Sequence, residues 1–383
     1  MRTGGMTATR AEARLRQLCC LGLAGQAVMP ALVQWLHALI PSRSNHFFWA
    51  AADGGIGNSY METAEEMELL PLYFAEFYNR EAEVCSLPFA EKMRRVPGVH
   101  RDPDPQGDPK VIYGSDFYNL LLRPIRVHHA LGAVIRAPDG RPLGLLRLTR
   151  GEGEAAFSSD EDRRLARLAP FVAHALAHGV NAAADDLETP LADSEDSGLL
   201  IVDARGSPLH ISARGRALLR LASHQSIAPG QLWDHGVSDA VSQICRRLVA
   251  LSRRESGDAL QPVWSCRNAW GGFVFRAHWL DRTVAPDPDA LVSGQVIGVT
   301  IQHREPLPLV LMRRMQSLPW SASSSLSGRQ MQVCLLLAAG HSLRVIAERL
   351  GVTRHTADYH CRELYARFNV RSRHELIGKL LNP

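Results

Sequence analysis

Apolar residues at helical spacing recur in four short runs between Leu326 and Leu381, and punctuating residues separate them. Ser327 stands as a cap before a run in which Val333, Leu336 and Leu337 share one face, and Gly340 ends it. Ser342 caps a second run, with Ile346, Ala347 and Leu350 turned inward, and Gly351 supplies a tight turn. Thr353 caps a third, where Ala357, Cys361, Leu364 and Phe368 sit at i, i+4, i+7 and i+11 and make one apolar stripe. Arg373–Leu381 makes a fourth, with Leu376, Ile377 and Leu380 on one side as a surface on which two copies would pair. The pattern predicts an all-α four-helix unit over residues 326–383.

Upstream, helical and alternating stretches mix, which predicts two α/β blocks and a multidomain α+β chain. The first, 12–180, opens with an amphipathic helical stretch (18–40) and a strand (46–51). Asp53, Gly54 and Gly55 turn it toward a second strand (57–61). Residues 69–80 have helical spacing and 98–110 form a Pro/Asp/Gly loop. A hairpin pairs 130–136 with 143–149 around Pro138, Asp139 and Gly140, and Phe157, Ser158, Ser159 and Asp160 open a helix to about residue 178. The second block, 196–305, starts strand, turn at Gly206, strand, then a helix through Leu221. Strands at 261–265, 272–278 and 295–302 follow. Two polar stretches join these units. Residues 182–197 are small and acidic, and 306–325 hold Pro306, Pro308 and Pro319 and end in a serine-rich run. The latter reads as a hinge with a short helix at 309–318.

The chain has 383 residues, enough for two or three cores, and a formal charge of +4. From Leu326 onward nine Lys/Arg face four Asp/Glu, a surplus of five, so the remainder lies near −1. Positive charge is thus concentrated on the terminal unit, as expected if only that unit meets phosphate. The seven cysteines (19, 20, 85, 245, 266, 334, 361) form no C-x-x-C pair, which suits a reducing compartment and a cytoplasmic location. Pro30, Gln26, Gln34 and His37 interrupt 18–40, so it is read as amphipathic rather than as a membrane or export segment.

Opposite its apolar stripe the third terminal helix carries Arg354, His355, Asp358, Tyr359 and Arg362, a set of donors, one acceptor and an aromatic hydroxyl suited to base edges and phosphates. The segment resembles a LuxR-type (GerE-like) helix-turn-helix. Leu326, Ser327, Arg329, Val333, Leu337, Gly340, Ile346, Ala347, Leu350, Val352, Thr356, His360, Leu364, Phe368, Val370 and Arg373 match in order without gaps. The resemblance implies contacts to double-stranded DNA. Arg354, His355, Asp358 and Tyr359 are placed in the groove, and Arg344, Thr353, Thr356 and Arg362 on phosphates. It also implies a homodimer, because one such unit reaches only a few base pairs. Gln330, Gln332 and Val345 stand where the family usually has Glu, and Asp358 where it often has Lys. Base preference therefore does not transfer from relatives. The stretch 157–176 resembles a GAF domain and 199–219 a PAS domain, with Ser212 where an Asn is usual. Both imply α/β sensor folds that bury a small pocket or pair with a copy.

Catalytic and metal chemistry finds little support. His128 and His129 alternate faces on a strand, and His174 and His178 have no third ligand in view. The glycines at 54, 55 and 57 and at 151 and 153 lack phosphate-loop spacing, and no Gly-x-Ser-x-Gly elbow occurs. No enzyme, cofactor or metal site is expected. Trp49, Tyr73, Phe77 and His129 are the candidate pocket residues for a small-molecule effector, although such aromatics are more often core. The leading expectation is a regulator that reads DNA and senses through its front half. A phosphorylation-driven regulator lacks a receiver pattern, and a signalling scaffold with a silent helix-turn-helix stays open.

Overall fold

The computed structural model describes residues 8–80, 88–95, 98–102, 109–179, 189–203, 205–223, 227–229, 236–252, 261–280, 296–317 and 326–381. The front half holds helices α1 (Ala8–Cys19) and α2 (Gly25–Leu39), strands β1 (Ser44–Ala50) and β2 (Ile56–Met61), and helix α3 (Ala64–Leu72), which widens into a π turn at Tyr73–Phe77. Next come α4 (Phe89–Arg95), β3 (Val99–Asp102), α5 (Pro109–Tyr113) and a π turn at Tyr118–Leu122, then β4 (His129–Arg136), β5 (Pro142–Arg150) and α6 (Ser159–Gly179). The strands form an antiparallel sheet in the order β2-β1-β5-β4-β3.

Alternation along the strands decides what lies on each face. Phe47, Leu146, Leu148, Leu131 and Ala133 point one way and are buried against α1, α2 and α6. His46, Phe48, Leu145 and Arg147 point the other way, toward α3 and α4. The hairpin β4–β5 forms as expected, and Ser158 caps α6 by pairing with Glu161 in both directions. Arg150 ties that helix start to the sheet. It reaches Glu161 at 2.6 Å and lies 4.1 Å over the Phe157 ring. The expected loop at 98–110 begins instead as edge strand β3, fixed by its ladder with β4; residues 103–108 lie outside the described residues.

The middle of the chain builds a second antiparallel sheet from β6 (Leu191–Val202), β7 (Pro208–Ile211), β8 (Val263–Asn268), β9 (Gly271–Trp279) and β10 (Ile297–Pro306). Its order is β7-β6-β10-β9-β8, the same path as in the first sheet. Helices α7 (Ala213–Ser223) and α8 (Gly236–Ser252) cover the face that carries Phe273, Phe275, Val299 and Ile301. Two expectations are corrected here. Residues 191–197, read as an exposed join, are the first half of β6, because β10 supplies them with a ladder partner. Helix α8 had no counterpart in the expectation at all.

Helix α9 (Leu307–Ser317) falls inside the stretch read as a hinge, yet Leu309, Val310, Leu311 and Met315 are buried. It packs on β6 and β10 on one side and on the terminal helices on the other. The serine-rich run at 321–325 lies outside the described residues. The terminal helices are α10 (Gly328–Ala338), α11 (Leu343–Leu350), α12 (Arg354–Phe368) and α13 (Arg373–Leu381). Among the described residues no helix is long and apolar enough to cross a membrane.

Candidate nucleic-acid interface

Local chemistry sets the ends of each terminal helix. Ser327 accepts from Gln330 N, and the Gln330 side chain accepts from Ser327 N, so the glutamine closes a capping box as a glutamate would. Ser342 accepts from Val345 N, and Thr353 accepts from Thr356 N. Gly351 ends α11 with φ +62°, a left-handed conformation that makes the sharp turn into α12. Asn369 ends α12 in the same conformation, and Lys379 donates to Phe368 O at 2.8 Å.

Ala357, Cys361, Leu364 and Phe368 are all buried, with Leu364 and Ala357 fully so. They lock α12 against α10 and α11. Burial and the neighbouring Asp358 charge push the Cys361 thiol up, and burial pushes Cys334 to about 12, so both behave as apolar filling. The opposite side of α12 faces outward. Arg354, His355 and Arg362 are exposed, and Tyr359, at 55 %, is an exposed aromatic of a kind rare on this surface. Such a ring, held edge-on by His360 at 5.7 Å and otherwise open, suits a groove wall or a base edge.

Asp358, Thr353 and Thr356 are already engaged within the helix. Asp358 is half buried and accepts from Arg362 at 2.6 Å one helical turn on, so neither charge is free. Thr353 Oγ1 is occupied as a cap and lies 2.9 Å from Thr356 Oγ1, which makes both threonines framing elements of the helix start. Arg344 remains 80 % exposed, with Glu348 at 3.4 Å. The expected pairing surface on α13 is corrected: Leu376 and Leu380 are buried within the chain, where α9, α10 and α12 cover them, and Ile377 is half buried. Sequence reasoning named Arg329 only as a match and missed its contact, in which the guanidinium donates to Leu350 O at 3.2 Å across the turn; it missed Arg349 altogether, which reaches Leu21 O and Gly22 O at 3.4 Å.

A cavity of about 100 Å³ lies in the front half between the first sheet and α3, α4 and the two π turns. Of the four expected pocket residues only Tyr73 lines it. Trp49 is turned the other way, edge-on to Phe47 at 4.7 Å and to Trp270 of the second unit at 5.7 Å. Phe77 packs behind the cavity on Phe117, and His129 stands against His128, 4.7 Å between rings. His128 itself stacks on Tyr113 and bonds the Tyr118 hydroxyl at 2.8 Å. The cavity wall carries polar side chains that were not expected: His46, Glu66, Lys92 and Arg147. Burial would raise the Glu66 carboxyl, but the facing His46 and hydrogen bonds from His46, Ser44 and Thr63 pull it down to about 2. No group of three metal-ligating side chains occurs among the described residues.

This arrangement, an outward cationic helix seated on two shorter helices by a tight turn, defines a helix-turn-helix unit. Residues 324–380 match the model of the bacterial regulatory proteins, luxR family. The C-terminal segment is thus a LuxR-type helix-turn-helix domain, a module of DNA-binding transcription regulation, on a chain whose front part is α/β with two antiparallel sheets. No curated protein matches the chain. One solved structure that overlaps it is the crystal structure of the E. coli DhaR(N)-DhaL complex. It is 14 % identical over 78 % of this chain and 91 % of that one, with a TM-score of 0.24.

Proposed function

We propose that the chain is a sequence-specific transcription regulator that binds double-stranded DNA as a homodimer. Its front units, a GAF-like one over 12–180 and a PAS-like one over 196–305, respond to a small molecule or partner protein and alter promoter binding. The carrying observation is the outer face of α12, with Arg354, His355, Tyr359 and Arg362 exposed while the inner stripe is fully packed. Arg344 and the backbone N–H groups at the start of α12 add phosphate contacts. The common strand order of the two front sheets supports a shared sensor-type topology for both. On the face of the second sheet opposite Phe275 and Ile301, Arg276 is exposed and Thr300 half-buried. With α13 occupied inside the chain, pairing falls to the front units. Reduced cysteines, none of them cross-linked among the described residues, fit a cytoplasmic location.

Selection of bound duplexes from random DNA by the full chain tests this reading. It predicts an enriched motif of two half-sites about one helical turn, roughly 10 bp, apart. A second reading, a scaffold with a silent helix-turn-helix, draws on the Asp358–Arg362 pair, which removes net charge from the reading face. It predicts retention of DNA without any enriched motif.

A further inference from the structure

The cavity of the first sheet is apolar along most of its wall, with Phe48, Leu69, Phe89, Phe117, Leu121 and Leu145, and charged at one end. The charged end follows from strand register. Met61, His46, Arg147, Gly132 and His100 lie side by side across β2, β1, β5, β4 and β3, in one row on one face of the sheet. Gly132 has no side chain, and a Cβ there would lie 2.5 Å from the His100 ring, so the row closes tightly at that end. Lys92 comes in from α4 and Glu66 from α3.

Most of these charges are already matched. Lys92 Nζ donates to Asp102 at 2.9 Å. Both Glu66 oxygens are engaged, by His46 Nε2 at 2.9 Å, by Ser44 Oγ at 2.7 Å and by Thr63 N at 3.3 Å. Arg147 is the exception. It is half-buried, its Nε is buried without a hydrogen-bond partner, and no carboxylate stands within ion-pair distance among the described residues; its charge acts only at longer range on Asp102, which Lys92 already holds. The Nε has lost water without gaining an acceptor, a cost of a kind that an anion bound to the guanidinium relieves.

We propose that this cavity binds a small monocarboxylate with a short apolar tail, the carboxylate pairing with Arg147 and the tail lying among the aromatic and leucine side chains. A cavity of about 150 Å³ holds a benzene ring, so about 100 Å³ accommodates a tail of roughly four carbons. The planar fork of the guanidinium matches a carboxylate at two points, which favours a carboxylate over an alcohol or amine of equal size. The proposal rests on the reading of the front half as a sensing unit and names the class of molecule sensed.

The test is calorimetric titration of the purified full chain with pentanoate and, separately, with its neutral isostere pentanamide. The same preparation is assayed for duplex DNA binding without either. Pentanoate should bind one per chain, and pentanamide at least about tenfold more weakly. Arg147→Met should lose pentanoate binding by a similar factor, while Arg147→Lys should recover part of it. Equal binding of pentanoate and pentanamide overturns the proposal, as does no binding of pentanoate up to about 10 mM. The amide comparison needs no variant, so a poorly folding Arg147→Met does not blunt it. Retained DNA binding beside absent carboxylate binding sinks the ligand class alone, and the converse sinks the reading of the terminal domain alone.

Discussion

Arg362 and Asp358 show how one residue adjusts a surface that the fold otherwise leaves strongly cationic. Their contact at 2.6 Å offsets part of the charge that Arg362 offers to phosphate, and DNA must displace or share it. Asp358→Asn should therefore strengthen binding to any duplex at low salt by severalfold, read from anisotropy titrations. Arg362→Ala should weaken it and flatten the slope of log K against log salt by about one unit. If Asp358→Asn leaves affinity unchanged, the pair has no part in binding. Glu66 carries a second residue-scale prediction. Its carboxyl is held near 2 in the fold, below the unfolded value of about 4.3. The stabilisation it supplies is present above the unfolded value and fades as pH falls from about 4.5 toward 2. Urea midpoints should drop across that window, and Glu66→Gln should remove part of the drop, the rest staying with Asp102, Glu161 and Asp196, whose carboxyls are also held down; an unaltered acid limb in the variant would refute the assignment.

At the scale of elements, the terminal helices were legible because their signals are local. A cap, an apolar stripe and a glycine or asparagine stop lie within a turn or two of each helix, as at Thr353, Leu364 and Asn369. Thr353→Ala should cost about 1 kcal/mol and Leu364→Ala about 2–5 kcal/mol of domain stability, measured by denaturant unfolding. A loss from Leu364→Ala no larger than from Thr353→Ala would mean that α12 is not packed as described. What was misread depends on partners far away in sequence. The acidic run Ala192–Asp196 has the composition of a loop, and only pairing with β10 makes it strand. The short helix expected between the prolines is there as α9, but its buried leucines answer to two units at once, which the prolines at 306 and 308 did not suggest. The cavity charges escaped notice for the same reason. Arg147 stood amid the apolar residues of β5, while Glu66, Lys92 and His46 reach the cavity from three other elements.

The whole molecule joins its three parts through contacts that sequence could not show. Trp270, 1 % exposed, lies between Trp49 and Tyr60 of the first sheet, at 5.7 and 5.9 Å, and Arg220 donates to Met67 O at 2.7 Å. Arg349 of α11 holds the loop after α1, and α9 links the second sheet to α10 and α13. These joins offer a path by which an event in the front cavity alters the presentation of α12, needing about 1–3 kcal/mol of coupling to matter. Arg349→Ala should loosen the α11 contact while leaving the α12 face intact. Proteolysis after Arg or Lys in the terminal domain should quicken, with DNA affinity kept within a few-fold; unchanged proteolysis would deny the contact any holding role. Fluorescence anisotropy of a selected duplex, titrated with the full chain at several salt concentrations, tests the reading face most directly. Arg354→Ala with Tyr359→Ala should lower affinity by about tenfold or more and erase the preference over random duplex. Undiminished preference in that double variant would contradict the assignment of α12 as the element that reads DNA.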